Sequence, residues 1–300
     1  MPELPDVVVY LEALTRHVVG QRLARLNLLS PFVLRSVDPP PSALFGETVR
    51  GVRRIGKRIV LEFSVAGFDE PLFLVIHLMI AGRLRWRAPK QKPGIGAKLI
   101  LASFEFANGL LLFTEASSKK RASLQVVRGK QALAALDPGG IEPLEIAFDE
   151  FHRALTAENH TVKRTLTDPH VFSGIGNAYS DEILHAAKLS PLKLTQSFSE
   201  DESRRLYDAT RATLTAWVER LRAETGDGFP EKVTAFREEM AVHGRFKQPC
   251  PVCGAPVQRI VYADNECNYC ARCQTGGRLL ADRSLSRLLK DDWPRNLDDR

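Results

Sequence analysis

Two stretches of this 300-residue chain bring chemically capable residue types close together. The first is its start, MPELPD. Pro2 is small enough that Met1 is expected to be removed after synthesis, which leaves a secondary amine with Glu3 beside it. An α-amine titrates near ~8, so a useful fraction is unprotonated at neutral pH and can attack an electrophilic carbon. From a proline the product is directly a cationic iminium, and Glu3 could move protons during a following ring opening or elimination. Taken alone, a Met-Pro start also reads as a frayed end. The second stretch is Cys250-x2-Cys253, sixteen intervening residues, then Cys270-x2-Cys273. That is the spacing of a four-cysteine zinc ribbon, two knuckles joined by a β-hairpin. Four thiolates close the coordination shell, so one structural Zn2+ is expected and no catalytic metal. Cys267 makes the series ambiguous, since it could replace Cys273; Cys270 and Cys273 keep the hairpin length and leave Cys267 a free thiol.

The rest of the chain must position these groups. At 44% hydrophobic and 8% aromatic it is globular, and its length suggests about two domains. A net charge of +6 and a pI near 9.1 favour a polyanionic partner. No apolar run approaches membrane-spanning length and the start lacks a secretory layout, so the expected setting is cytoplasmic, with the cysteines holding metal rather than disulfides.

Val7, Leu11, Leu14 and Val18 recur at helical spacing, with Pro5 and Asp6 suited to the first turn and Gly20 to the stop, so the terminus is expected to be pinned by a buried helix. From about Leu23 to Val127 short alternating runs predict an antiparallel sandwich or barrel. Two basic clusters lie within it: Arg50, Arg53, Arg54, Lys57 and Arg58, then Lys119, Lys120, Arg121, Arg128 and Lys130. Each could track phosphates or simply form a solvated strand face. After a joint, LDPGGIEP, three stretches carry helix-period apolar residues. Between them, Gly174, Ile175, Gly176 and Asn177 form a tight turn opening a helix, either a phosphate site or only a turn.

Over about residues 1–275 the chain resembles the formamidopyrimidine-DNA glycosylase/endonuclease VIII family of base-excision repair enzymes, through MPELPD, the lysine in RIGKRIVLEF, HLMIAGRL, GIGNAYSDE, VHGRFKQPC and the zinc spacing ending in CQ. The resemblance implies an α+β fold: an N-terminal antiparallel β-sandwich flanked by helices (1–135), a helix-two-turn-helix domain (136–243), a four-cysteine zinc finger (244–278), a tail (279–300), and DNA in the cleft between. It implies that Pro2 attacks the sugar C1′ of a flipped-out damaged nucleotide, that Glu3 is the acid/base, and that Lys57 assists at the adjoining phosphate. Lys163 and Asn177 would clamp phosphate, with Gly176 giving backbone approach. Lys119, Lys120, Arg121 and Ile80 join them as DNA-binding candidates, because the target base must be extruded while phosphates on both sides are gripped. The expected protein is a monomer on damaged double-stranded DNA, associated with the nucleoid, with glycosylase and β-elimination lyase activity.

Departures from the family pattern sharpen this. Met79-Ile80 stands where the family carries Gly-Met, whose methionine fills the gap left by the flipped base. The loop that usually supplies a base-reading arginine and an aromatic wedge reads EASSKKRAS, from Glu115 to Ser123. Asn265 replaces a phosphate-gripping arginine, and the loop before VHGR is short. A weak 8-oxoguanine glycosylase that acts better on abasic sites is therefore expected. Two other readings stay open: a relative that binds damaged or abasic DNA with lyase but weak glycosylase activity, and a zinc-ribbon nucleic-acid-binding module without catalysis.

Overall fold

Alternation of apolar and polar residues builds the first half of the chain, because successive strand residues face opposite ways. The computed structural model describes residues 1–262, 265–281 and 295–297, so the tail expected at 279–300 lies mostly outside the described residues. Eight strands follow the helix α1 (Leu4–Val18): β1 (Leu23–Leu28), β2 (Val49–Ile55), β3 (Arg58–Phe63), β4 (Leu72–His77), β5 (Gly82–Arg87), β6 (Ile100–Phe106), β7 (Gly109–Glu115) and β8 (Ser123–Arg128). They form two four-stranded antiparallel sheets, ordered β1-β6-β7-β5 and β2-β3-β4-β8.

Side chains from both sheets share one core, including Leu26, Phe104 and Phe113 from the first and Leu61, Leu74 and Val126 from the second. Val7, Tyr10, Leu14 and Val18 of α1 join that core, so burial of an apolar stripe holds the N-terminal helix in place. The other face of the second sheet, with Val60, Phe73 and Val75, is covered by Leu133 of α2 (Gly129–Ala134). This is the antiparallel sandwich flanked by helices that the sequence suggests.

The chain divides into two compact units, Met1–Pro138 with Trp217–Thr234, and Gly139–Ala216 with Ala235–Arg300. The second unit is helical, with α3 (Phe148–Thr156), α4 (Val162–Thr167), α5 (Asn177–Ala186) and most of the 26-residue α6 (Glu200–Thr225). The helix-period stretch at 148–168 forms two helices, α3 and α4, separated where Thr161 takes an extended conformation and becomes the N-cap of α4. A hairpin of β9 (Gln258–Tyr262) and β10 (Asn265–Tyr269) follows, then α7 (Ala271–Thr275). No helix among the described residues is long and apolar enough to cross a membrane.

Candidate active site and metal centre

In the first unit, Glu3 is the N-cap of α1, with a proline in the first turn. Glu3 and Asp6 form a capping box in which the Glu3 N–H donates to Asp6 Oδ2 at 3.0 Å. The cap buries Pro2, and it leaves Glu3 only 3% exposed. The terminal amine here belongs to Met1. Burial lowers its pKa from the usual 8.0; Glu3 works against that lowering, while Arg83 and Lys57 add to it. Lys57 lies in the β2–β3 turn, made possible by Gly56 at φ +56° and braced by Arg54 donating to the Gly56 carbonyl at 3.0 Å. Burial likewise lowers the Lys57 pKa, with Glu3 opposing it. The amine, Glu3, Lys57 and Arg83 thus share one electrostatic environment.

His77, at the end of β4 opposite Arg58, belongs to the same environment and was assigned no role from sequence. Burial, then Arg58 and Lys57, push its pKa down to about 4, so it is neutral at pH 7. The loop after it is closed by Gly82, whose N–H donates to the Leu78 carbonyl at 2.8 Å. A Cβ at Gly82 would lie 2.2 Å from that oxygen, so only glycine closes the loop this tightly. Arg83 donates to the Ile80 carbonyl at 3.1 Å and to the Val233 carbonyl at 2.6 Å, fixing the loop from beneath. Met79 is held at φ 50° and Ile80 is presented 60% exposed. In the Glu115–Ser123 loop, the buried Glu115 carboxylate accepts the N–H groups of Arg121 at 3.1 Å and Ala122 at 3.3 Å, and Lys120 donates to the Glu115 carbonyl. Lys119, Lys120 and Arg121 stand exposed on that support.

In the second unit, the glycine turn opens α5, with Gly174 at φ +81° and Gly176 as N-cap. Asn177 donates its side-chain amide to the Glu266 carbonyl of β10 at 2.8 Å. Lys163 of α4 reaches the start of α5: its Nζ donates to the Asn177 carbonyl at 3.1 Å, Ser180 Oγ at 2.9 Å and Asp181 Oδ1 at 2.5 Å. Asp181 is fully buried, and its Oδ2 accepts from His243 Nδ1 at 2.8 Å, the Asn268 N–H at 3.1 Å and the Asn268 side-chain amide at 3.3 Å. Burial alone would raise its pKa, but Lys163 and His243 outweigh it and hold the carboxylate below the usual range. Glu182 accepts three successive N–H groups, from Ala241 at 2.6 Å and from Val242 and His243 at 2.9 Å each. Asp181, Glu182, His243 and Asn268 were not singled out from sequence; Asp181 and Glu182 fall within GIGNAYSDE and His243 within VHGRFKQPC, while Asn268 lies in neither motif.

The thiols of Cys250, Cys253, Cys270 and Cys273 all lie within 4.8 Å of one another. Sulfur pairs at 3.9 Å (Cys250–Cys273) and 3.4 Å (Cys253–Cys270) bracket the edge of about 3.8 Å that a tetrahedron with 2.3 Å metal–sulfur bonds requires. The donor set and its geometry therefore fit a closed structural metal centre. Cys267 is outside it, buried with Ile260, Tyr269 and Leu279, and burial raises its pKa. His185 lies with Nε2 3.2 Å from Cys250 Sγ, a contact joining α5 to the centre.

Family models match along most of the chain: the formamidopyrimidine-DNA glycosylase N-terminal domain at residues 1–119, its H2TH domain at 140–226, and the zinc finger found in FPG and IleRS at 247–276. A formamidopyrimidine-DNA glycosylase of Heliobacterium modesticaldum is 31% identical over 290 residues, covering 91% of this chain and 100% of that protein. The chain belongs to the formamidopyrimidine-DNA glycosylase family. An uncharacterized formamidopyrimidine-DNA glycosylase-like protein of Mycobacterium tuberculosis is 40% identical over 151 residues, 50% of this chain and 94% of that protein. Among solved structures, the Lactococcus lactis formamidopyrimidine-DNA glycosylase in complex with DNA containing an abasic site aligns with TM-score 0.76 and 25% identity, covering 91% of this chain and 99% of that one. Membership of the formamidopyrimidine-DNA glycosylase family accounts for the order of sandwich, helical segment and cysteine finger along the chain.

Proposed function

We propose that this DNA glycosylase and abasic-site lyase uses the Pro2 amine, freed by removal of Met1, as its nucleophile and Glu3 as its proton carrier. The observation that carries this reading is the buried start of α1, where a desolvated amine is set beside Glu3, Lys57 and Arg83. The amine nitrogen bonds to C1′ as the damaged base leaves with a proton, and opening of the sugar ring gives the iminium. The iminium acidifies the adjacent C2′ hydrogen; Glu3 accepts that proton, and the 3′ phosphate departs by β-elimination. Lys57 neutralises the phosphate beside the lesion, with neutral His77 offering a hydrogen bond in the same neighbourhood.

Gly176 and Asn177, in the turn that Lys163 adjoins, hold a phosphate, and Lys119, Lys120 and Arg121 supply charge along the backbone. Ile80, exposed on its braced loop, enters the space left by the flipped base. The metal is one zinc ion held by Cys250, Cys253, Cys270 and Cys273, which stabilises the finger and takes no part in the chemistry. The enzyme works in the cytoplasm, where the nucleoid supplies its substrate. Borohydride trapping on an abasic duplex tests this reading: the processed protein becomes covalently linked to DNA, and a form with an N-terminal extension does not. Trapping by the extended form would overturn the assignment of Pro2.

A further inference from the structure

Lys163 is a candidate phosphate grip by its place in the family pattern, yet its surroundings account for it differently. An ammonium has three donor hydrogens, and the Asn177 carbonyl, Ser180 Oγ and Asp181 Oδ1 match them in number. The side chain is 14% exposed and its partner carboxylate is wholly enclosed. Moving Nζ outward to a phosphate would leave that carboxylate without its main counter-charge, and breaking a buried pair in this way is strongly unfavourable. Asp181 in turn grips His243 and both the backbone and side chain of Asn268, so one carboxylate links α4 and α5 to the VHGR segment and to β10 of the metal hairpin.

We propose that Asp181 is a positioning residue that holds Lys163 as an internal brace for the Gly176–Asn177 turn, so that Lys163 contributes shape rather than charge to DNA binding. The inference rests on the reading above that this turn receives a DNA phosphate. Lys163 fixes the carbonyl of Asn177, which sets the plane of the peptide opening α5, and Asn177 is tied from its other end to Glu266 of β10. The phosphate then meets a turn already shaped by two anchors, with the net charge of the Lys163–Asp181 pair near zero.

Salt dependence separates the two roles, because each lysine that neutralises a phosphate contributes about −0.9 to the slope of log K against log salt. The measurement uses the full-length, metal-loaded protein and a duplex carrying a stable abasic-site analogue. Lys163→Met is expected to weaken binding at every salt concentration without altering the slope. Asp181→Asn, which frees the ammonium, is expected to steepen the slope by about 0.9. Flattening by about that amount in Lys163→Met, with no change in Asp181→Asn, would show a direct grip and overturn the proposal. Thermal melting of the two single variants and the double variant provides a second readout that needs no DNA. The double variant should melt higher than the sum of the two losses predicts, and strict additivity would sink the brace. If the unaltered protein does not prefer the abasic duplex, the DNA reading fails, while the melting cycle still judges the brace.

Discussion

The charged start of α1 and the charged centre of α5 are built from the same residue types, a lysine, carboxylates and a histidine, but they are balanced in opposite ways. Around Glu3, burial decides the balance: Glu3 and Asp6 are set against Arg83 and Lys57 at one amine, and both the amine and Lys57 are desolvated toward their neutral forms. Around Asp181, each carboxylate oxygen has donors and the ionised form is favoured. Groups held off balance can exchange protons with a substrate, whereas groups held in balance resist change. The first arrangement suits chemistry and the second suits architecture.

Removing the metal centre should have the largest effect, since it dismantles the scaffold that the Asp181 network joins. Cys273→Ser should lose both the metal and the folded finger, while Cys267→Ser should retain both; metal analysis with circular dichroism checks this, and the reverse pattern would move the ligand set to Cys267. Glu3→Gln comes next. A general acid/base contributes about 10²–10⁴-fold, so single-turnover cleavage of an abasic duplex should fall within that range with the melting temperature nearly unchanged. Asp181→Ala should show the opposite profile, a stability loss of about 3–5 kcal/mol in urea unfolding, because it strands a buried lysine.

A smaller contrast lies between lesions. Ile80 is short and stiff at χ1, the Glu115–Ser123 loop carries no aromatic wedge, and extruding a paired purine costs a few kcal/mol. Single-turnover rates should therefore be at least about tenfold higher on an abasic site than on 8-oxoguanine opposite cytosine, about 1.4 kcal/mol in barrier. Comparable rates would show that another loop fills the gap.

The last contrast, in acid stability, concerns His77. In the unfolded chain it binds a proton below its ordinary value of 6.5, and in the folded protein only below about 4. Between those values the unfolded state binds more protons, so stability falls as the pH drops from 6.5 towards 4 and flattens below. His77→Gln should remove that part of the acid slope in urea midpoints measured across the range.

The sandwich was legible because alternation is a local signal, and so was the buried α1, whose apolar stripe and Pro5 lie within one run of sequence. The cysteine cluster was legible for the same reason, since two short spacings state its ligands. The Asp181 network was not. It joins residues at 163, 181, 243 and 268, and an aspartate in the middle of a helix carries no mark of distant partners. His77 escaped notice because its altered proton affinity comes from burial and from Lys57 and Arg58, which only the hairpin brings alongside. The break between α3 and α4 depends on Val162 and Thr195, whose N–H groups bond the Lys193 and His160 carbonyls, a long-range pairing that overrides a helical pattern. Nor does sequence periodicity show that Trp217–Thr234 packs with the first unit, because the helical repeat of α6 runs unbroken through Ala216.

Glu182 has a practical consequence for anyone who wishes to cut or transplant the cysteine finger. Its carboxylate captures three consecutive peptide groups just ahead of the first ligand pair, and the burial of Val242 and His243 leaves their groups no water to replace it. A fragment beginning at Gly244 would keep every metal ligand and discard the clamp that orients the entering strand of chain. Grafting the finger onto another scaffold therefore requires carrying α5 with it, which makes the portable unit the helix and hairpin together.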